Sequence, residues 1–278
     1  MNMNHAPKTQ PISLEQLEQA TDDNLIVHSG WLPSQREEMW VHNDGSLLIV
    51  DTLLDCDTFN VVSAARLKAE AVQEQVERVI RHFKGVQRSF AWWVGPADRP
   101  SHLKEVLREA GLEPKEGVDI AMTLDLKNLQ ETMCPPASFT IKRVRTPEQV
   151  QDFAHVVSQN WHPPDQELIR FYDLVLDPLL SAEAPLWLYV AYIDGLPVAT
   201  SQLTLGGGII GVYNVCTLEA YRRRGIASAL VATSLWDAKE SGYRHAILQA
   251  SQEGFGIYSR IGFYETGSYT EYKLPKKS

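Results

Sequence analysis

The sequence predicts an α+β protein of two halves, and three observations carry the expectation. The second half strings strands together through glycine turns before it becomes helical. Both halves contain, in the same order, a long amphipathic helix, an apolar strand, a short helix stopped by glycine, and a closing strand. Between the halves, Pro135-Pro136 disfavours helix and sheet ladder alike. At 278 residues the chain suits two domains better than one of ordinary size. The boundaries read as 1–130, a linker over 131–137, and a second domain over 138–278.

In the first half, Asn24–Ser29 and Leu47–Asp51 read as strands, with a turn at Asn43-Asp44-Gly45 between them. Asn60 is a candidate cap for a long helix that places Val72, Val76, Val79, Ile80 and Phe83 on one face and ends near Gly85. Phe90–Val94 is a short apolar run that reads as a buried strand, with Trp92 and Trp93 as core aromatics. Ser101 is a candidate cap for a second helix that buries Leu103, Val106 and Leu107 and stops at Gly111. Val118 to Leu126 then alternates as a half-buried strand should.

In the second half, Thr140–Val144 is the first strand. Thr146-Pro147 starts a helix with threonine as cap and proline in the first helical position. That helix breaks at His162-Pro163-Pro164, and another from Asp165 buries Leu168, Phe171, Tyr172 and Val175. Leu186–Ile193 and Leu196–Leu205 form a hairpin around Asp194-Gly195. Gly206-Gly207-Gly208 joins the second of these to a strand over 209–217, and so reads as a hairpin turn rather than a phosphate loop. A helix to Ser241, a strand over 246–250, a short helix holding Tyr258 and stopped at Gly262, and a final strand through Leu274 complete the chain.

Composition narrows the function. An apolar fraction of 44% is that of a soluble globular protein. No apolar run approaches the roughly 20 residues needed to span a bilayer, and Met1–Gln10 shows no apolar core of a secretory signal. Cys56, Cys134 and Cys216 are widely spaced with no C-x-x-C pattern, so reduced thiols in a cytoplasm are expected, with no metal. A net charge of −9 argues against non-specific nucleic-acid binding. The expected partners are therefore small molecules, not nucleic acid or membrane, with oligomeric state open.

The chemistry concentrates in one stretch, Val215 to Ser228. It leaves a strand, passes Arg222, Arg223, Arg224 and Gly225, and enters a helix through Ile226, Ala227 and Ser228. A helix N-terminus offers unpaired N–H groups and the positive end of the macrodipole, and a glycine lets an anion reach the backbone. By itself an arginine-rich helix start is usually just solvated. Here Arg222-x-x-Gly225-x-Ala227 resembles the acetyl-coenzyme A motif of the GNAT acetyltransferases. About forty residues on, Tyr258-Ser259-Arg260-Ile261-Gly262-Phe263 is similar to that family's Y-x-x-x-G-F segment. The resemblance covers Ser138 onward well and the first half in outline.

The resemblance implies two GNAT-like domains, each a mostly antiparallel mixed sheet flanked by helices in three layers. It implies acetyl-CoA as acyl donor and direct attack by a primary amine in a ternary complex. Val215, Cys216 and Thr217 would present backbone N–H groups to the pantetheine and thioester, and residues 223 to 228 to the pyrophosphate. Tyr258 maps onto the family's proton donor to the departing thiolate; the structural alternative is a packed aromatic. Ser251 falls where relatives meet the coenzyme. Cys216 has no histidine beside it and reads as a strand-filling thiol. The strand glutamate that serves many relatives as base is missing, since Gly211, Val212 and Tyr213 hold its place. Glu219, His162 and an acid of the Asp165–Asp177 helix are candidate bases without a spacing signal.

In the first half Leu107 stands where Tyr258 stands in the second, and no Arg-x-x-Gly precedes the long helix. This reads as a degenerate copy, with an unrelated α/β domain as the other reading. For the whole chain, the alternative to an acetyltransferase is an acyl-CoA sensor or scaffold without turnover.

Overall fold

The computed structural model describes residues 10–129 and 139–275, so the predicted linker Glu131–Ala137 lies outside the described residues. The chain opens on a capping box: the Ser13 hydroxyl accepts from the Gln16 N–H, and the Gln16 side chain accepts from the Ser13 N–H at 2.8 Å. Helix α1 (Leu14–Ser34) follows, and Asn24–Ser29, read above as a strand, lies inside it. The strand reading failed because α1 is covered on more than one side. Leu17, Ala20, Asn24, Leu25, Val27 and Leu32 are all buried, which leaves no single apolar stripe in the sequence.

Strands β1 (Trp40–Asn43) and β2 (Leu48–Asp51) form the expected hairpin. Strand β3 (Val61–Ser63) was not anticipated. Asn60, expected to cap the long helix, is fully buried ahead of β3; its Oδ1 accepts from Thr52 and its Nδ2 donates to the carbonyls of Leu54 and Ser89. Helix α2 (Val72–Val86) begins later, with its predicted face inward. Then come β4 (Ala91–Val94), α3 (Leu103–Glu109), β5 (Glu113–Pro114) and β6 (Asp119–Asp125). Helix α3 starts after His102 with no side-chain cap, so Ser101 does not have the role expected of it.

The second half follows its sequence closely. Strand β7 (Thr140–Arg143) leads to α4 (Pro147–Ser158), which Thr146 caps, and α5 (Gln166–Leu174), which Asp165 caps. After α6 (Leu176–Leu180) come β8 (Leu186–Ile193), β9 (Leu196–Gly206) and β10 (Ile209–Thr217). Helix α7 (Ile226–Glu240), β11 (His245–Ala250), α8 (Gln252–Ile261) and β12 (Tyr264–Lys273) close the chain. No helix among the described residues is long and apolar enough to cross a membrane.

All these strands join one sheet in the order β1-β2-β3-β4-β12-β6-β11-β10-β9-β8-β7, with β5 pairing β12 to one side. The pairing is mostly antiparallel; β3–β4 and β10–β11 are parallel. The fold is α+β. The two halves exchange strands at the centre. From the first half, β6 lies between β11 and β12. In return β12 pairs with β6 through Tyr264–Tyr269 and crosses to β4 through Thr270–Lys273. Its Tyr272 is fully buried in the first-half core beside Phe83, Trp92 and Leu107.

Helix α1 lies across β9 and β10, and this explains the glycine triplet better than the turn alone does. A Cβ on Gly206 would stand 2.8 Å from Val27, one on Gly207 2.4 Å from the Ala20 carbonyl, and one on Gly211 2.1 Å from the Asn24 side chain. These glycines let a helix reach the backbone of a hairpin. Asn24 then clasps it: Nδ2 lies 3.0 Å, 3.1 Å and 3.2 Å from the carbonyls of Thr204, Gly206 and Ile209, and Oδ1 accepts from the Tyr213 hydroxyl at 2.9 Å. Buried acceptors left without donors cost about 1–3 kcal/mol each. Asn24→Ala should therefore lower stability by roughly 2–4 kcal/mol in urea unfolding; a loss well under about 1 kcal/mol would show that the clasp is dispensable.

Candidate active site between strands β10 and β11

Strands β10 and β11 are paired only at Ile210–Ala246 and Gly211–Ile247 and then part. The cause sits in β10, whose register with β9 shifts between Tyr213 and Cys216, with Asn214 at φ +49°. A bulge adds a residue and bends its strand away from the neighbour. Beyond it β10 continues to pair with β9 at Cys216–Thr200 and Thr217–Ala199. The Leu218 N–H donates to the Val198 carbonyl at 3.0 Å. By the same alternation the Cys216 N–H is turned to β9, and the N–H groups turned to the cleft are those of Val215 and Thr217. The Thr217 hydroxyl is buried and has no hydrogen-bond partner among the described residues.

The cleft runs out at the start of α7. Gly225 precedes that helix at φ +76°, and no side chain caps it, so its first N–H groups are open. An added Cβ on Gly225 would meet no atom within 4 Å. Arg222, Arg223 and Arg224 are exposed and make no ion pair among the described residues. Arg222 Nε donates to the Thr217 carbonyl at 3.1 Å, and Arg224 to that of Ala220 at 3.1 Å while stacking over Tyr221. The Arg222–Ser228 segment is thus a cationic turn around an unfilled helix N-terminus, suited to a phosphorylated ligand. Ile226 is buried and anchors the helix, while Ala227 and Ser228 are half-buried at its mouth.

Tyr258 comes from α8 on the opposite wall. Burial pushes its hydroxyl up to about 12, and the nearby Cys216 sulfur adds to the effect. The sequence alone suggested an ordinary phenol; the structure makes it a firmer proton holder that is neutral throughout the physiological range. Its ring packs edge-on against Phe263 with centroids 6.1 Å apart. Gly254 leaves it room, since a Cβ there would lie 3.0 Å from the Tyr258 ring. Ser251 caps α8, its hydroxyl accepting from the Gly254 N–H at 3.2 Å.

Cys216 is buried, and the Asn160 amide lies 2.6 Å from its sulfur. Burial raises the thiol above its ordinary value, which leaves less thiolate at any given pH.

Next to the cleft lies a cavity of about 390 Å³ that both halves enclose. Tyr213, Asn214 and Gln249 form its cleft side, Trp161 its edge, and His28, Ser63 and Trp93 belong to the first half. Its far end holds a ladder of charges. Lys273 Nζ is 2.9 Å from Asp57 and 2.9 Å from Glu271, and Lys115 Nζ is 3.3 Å from Glu271. His28 stacks flat on Tyr213 with centroids 3.7 Å apart, and burial lowers its ring to about 3. Of the candidate bases, neither Glu219 nor His162 nor an acid of the Asp165–Asp177 segment lines the cavity. Asp165 is spent as the cap of α5. Sequence reading found none of the first-half residues here, because only the shared sheet brings them to the cleft. Trp93, expected in the core, is at the cavity wall, whereas Trp92 is fully buried.

The matching place in the first half is closed. Strands β3 and β4 pair at Val61–Ala91 and Val62–Trp92. Beyond that pairing the chain stays stitched, with Arg99 N donating to the Ala65 carbonyl at 2.8 Å and Leu67 N to the Arg99 carbonyl at 3.1 Å. The Asp98 carboxylate takes the N–H groups of Ala65 and Gly95, and Arg66 binds Asp22 and the Ala97 carbonyl.

Comparison with known proteins agrees with this geometry. Residues 185–265 match the family model described as the acetyltransferase (GNAT) domain. This part of the chain is thus similar to a GNAT acetyltransferase domain. The matched span takes in β8 to β11, the α7 turn and Tyr258. The chain is also 29% identical over 135 residues, 45% of its length, to the Mus musculus protein named probable N-acetyltransferase family 8 member 5. It spans about half of that curated relative, 56%. Among solved structures, a GCN5-related N-acetyltransferase from Kribbella flavida superposes with a TM-score of 0.69 at 20% identity, covering 92% of this chain and 96% of that one. A tandem GNAT protein from the clavulanic acid biosynthesis pathway superposes at 0.58 and 9% identity, covering 98% and 91%. At such identities the superpositions establish the GNAT fold alone.

The matched domain is an acyltransferase domain, and GNAT members use acetyl-CoA as co-substrate. Among the described residues, no group of three or more His, Cys, Asp and Glu side chains is placed to hold a metal ion. If Cys216 is a strand-filling thiol, alkylation followed by peptide mapping should label it more slowly in the folded protein than in the unfolded chain up to about pH 9. Labelling of the folded protein at the rate of a free thiol would restore it as a candidate nucleophile.

Proposed function

We propose that the chain is an acetyl-CoA-dependent N-acetyltransferase acting on a primary amine of a small molecule or peptide by direct attack in a ternary complex. The observation that carries this reading is the open wedge between β10 and β11, which meets the uncapped start of α7 at one end and Tyr258 at its side. Residues 138–278 would hold this site, and residues 1–130 would be a degenerate copy whose own wedge Asp98 fills.

Acetyl-CoA, when bound, supplies the activated acyl group. The residues around it have separable tasks. The N–H groups of Val215 and Thr217 would orient the acyl and pantetheine portion, as a third strand would be held. Arg222, Arg223 and Arg224 with the N–H groups from Gly225 to Ser228 would take the pyrophosphate. Tyr258 keeps its proton and would donate a hydrogen bond to the sulfur as negative charge develops there. A phenol near 12 is a weaker acid than a free thiol near 8.5, so its help comes more through that hydrogen bond than through complete transfer. The amine would enter from the cavity that Asn214 and Gln249 border. Among the described residues the carboxylates lining this entrance are paired with lysines, and His28 near 3 is too weak a base for an ammonium, so deprotonation would fall to water.

Calorimetric titration with acetyl-CoA should give one site per chain. Gly225→Glu should lower the affinity at least about tenfold, while the positive φ adds about 1–2 kcal/mol of backbone strain. Two sites per chain, or full affinity in a folded Gly225→Glu variant, would sink the assignment.

Tyr258→Phe keeps the ring and removes the hydroxyl. With a responsive amine its kcat should fall about 10²-fold, the lower end for such groups, while acetyl-CoA affinity changes only a few-fold. Lost affinity at unchanged kcat would make Tyr258 a binding residue instead.

A further inference from the structure

The cavity beside the cleft has a chemical bias that narrows the acceptor, and this step rests on the transferase reading of the same site. Its two carboxylates are already spent. Glu271 is only 7% exposed and bonds two lysines, and Asp57 bonds Lys273. Glu271 thus already faces two ammonium groups and Asp57 one, so a further cation at this wall would compete with lysines already in place.

What remains unspent is donors. The Ser63 hydroxyl is 2% exposed, lines the cavity and has no partner among the described residues. The Gln249 Nε2 group on β11 is buried and equally without one. His28 adds a third donor through a fixed chain. Asn214 Nδ2 donates to Gln202 Oε1 at 2.9 Å, which turns the Gln202 amide nitrogen to His28 Nδ1 at 3.1 Å. A neutral imidazole that accepts at Nδ1 must carry its proton on Nε2. Lys115, the most exposed member of the ladder, is paired with Glu271 on one side and keeps N–H donors for a further anion at the rim. Buried donors without acceptors are rare in proteins, and two of them on one cavity wall offer an acceptor-bearing ligand a place to bind.

We infer that the acceptor is an aminocarboxylate, an amino acid or short peptide whose free carboxylate is read by Ser63, Gln249, His28 and Lys115 while its amine faces the cleft. The first half of the chain, which lacks an open wedge of its own, thereby selects the substrate of the second. A polyamine is the wrong match, because it would bring further cations to a wall that has no free anion. The cavity volume, about 390 Å³, suits a molecule of amino-acid or dipeptide size.

The test measures thiol release from acetyl-CoA with L-amino acids and dipeptides, each paired with its own carboxamide, and with spermidine alongside. The same pairs are titrated by calorimetry into the full chain with free coenzyme A present. The carboxylate forms should exceed their amides about 10- to 100-fold in kcat/KM, the range for losing a charge-assisted hydrogen bond. Ser63→Ala and Lys115→Met should each raise KM for the carboxylate forms and so erase most of the acid-over-amide preference, which is read as the ratio of kcat/KM within each variant. Equal turnover of acids and amides, or preference for spermidine, would overturn the inference and leave the transferase reading standing. Carboxylate-dependent binding without any turnover would remove the transferase reading, and with it the acceptor role, while leaving a carboxylate-binding site. If no carboxylate is bound or acetylated, the inference fails.

Discussion

The backbone pairing of β12 with both β6 and β4 is the constraint on which the rest of the structure depends. It makes two half-sheets one, and it does so through main-chain hydrogen bonds that specify position strongly while asking little of side chains. Because β6 is inserted in return beside β11, neither half can finish its sheet alone. Glu271 and Lys273 on β12 are thereby carried to the wall of a cavity whose other side is β10. A register slip of one residue along β12 would turn Tyr272 out of the first-half core and replace both charges at the wall.

The two halves show how one topology gives an open cleft and a closed one. Both have a parallel pair at the place where the strands would part. In the second half a bulge at Asn214 bends β10 away, and among the described residues its pairing with β11 ends at Gly211–Ile247. In the first, Asp98 takes the freed N–H groups and the carbonyls of Ala65 and Arg99 restore a bridge. The difference is a matter of unmet hydrogen bonds. Backbone donors must be satisfied, either by the chain itself or by a ligand. The cleft that leaves them unmet is the one followed by a cationic, uncapped helix start.

Helix α1 has a second role beyond closing the fold. Its approach across Gly206, Gly207 and Gly211 brings Asn24 and His28 onto the face of β9 and β10. Gly211, Val212 and Tyr213 hold the stretch of β10 where the resemblance would place a strand glutamate, and at Gly211 the space for a side chain is taken by Asn24 and Tyr213. A side chain at position 211 and this helix cannot occupy the same place.

Local chemistry was legible from the sequence wherever it rests on neighbours in the chain. The cap Thr146, the helix start at Asp165, the Asn43–Gly45 turn, the Arg222–Ser228 helix start and the phase of Tyr258 against Gly262 all depend on a few adjacent residues, and their spacing carried them. Where two faces of an element are buried, the pattern is lost, so part of α1 read as a strand and β3 was not seen. Asn60 and Ser101 had the composition of caps, but Asn60 is held by distant carbonyls and the helix after Ser101 starts without a side-chain cap. The cavity could not be read at all. Ser63, Lys115, Gln249 and Glu271 are far apart in the chain and ordinary in composition, and only the exchange of β6 and β12 sets them around one space. The sequence by itself determined where an anion can meet a helix; the tertiary structure decided what can stand beside it, because sheet pairing between distant strands depends on register and leaves no periodic trace.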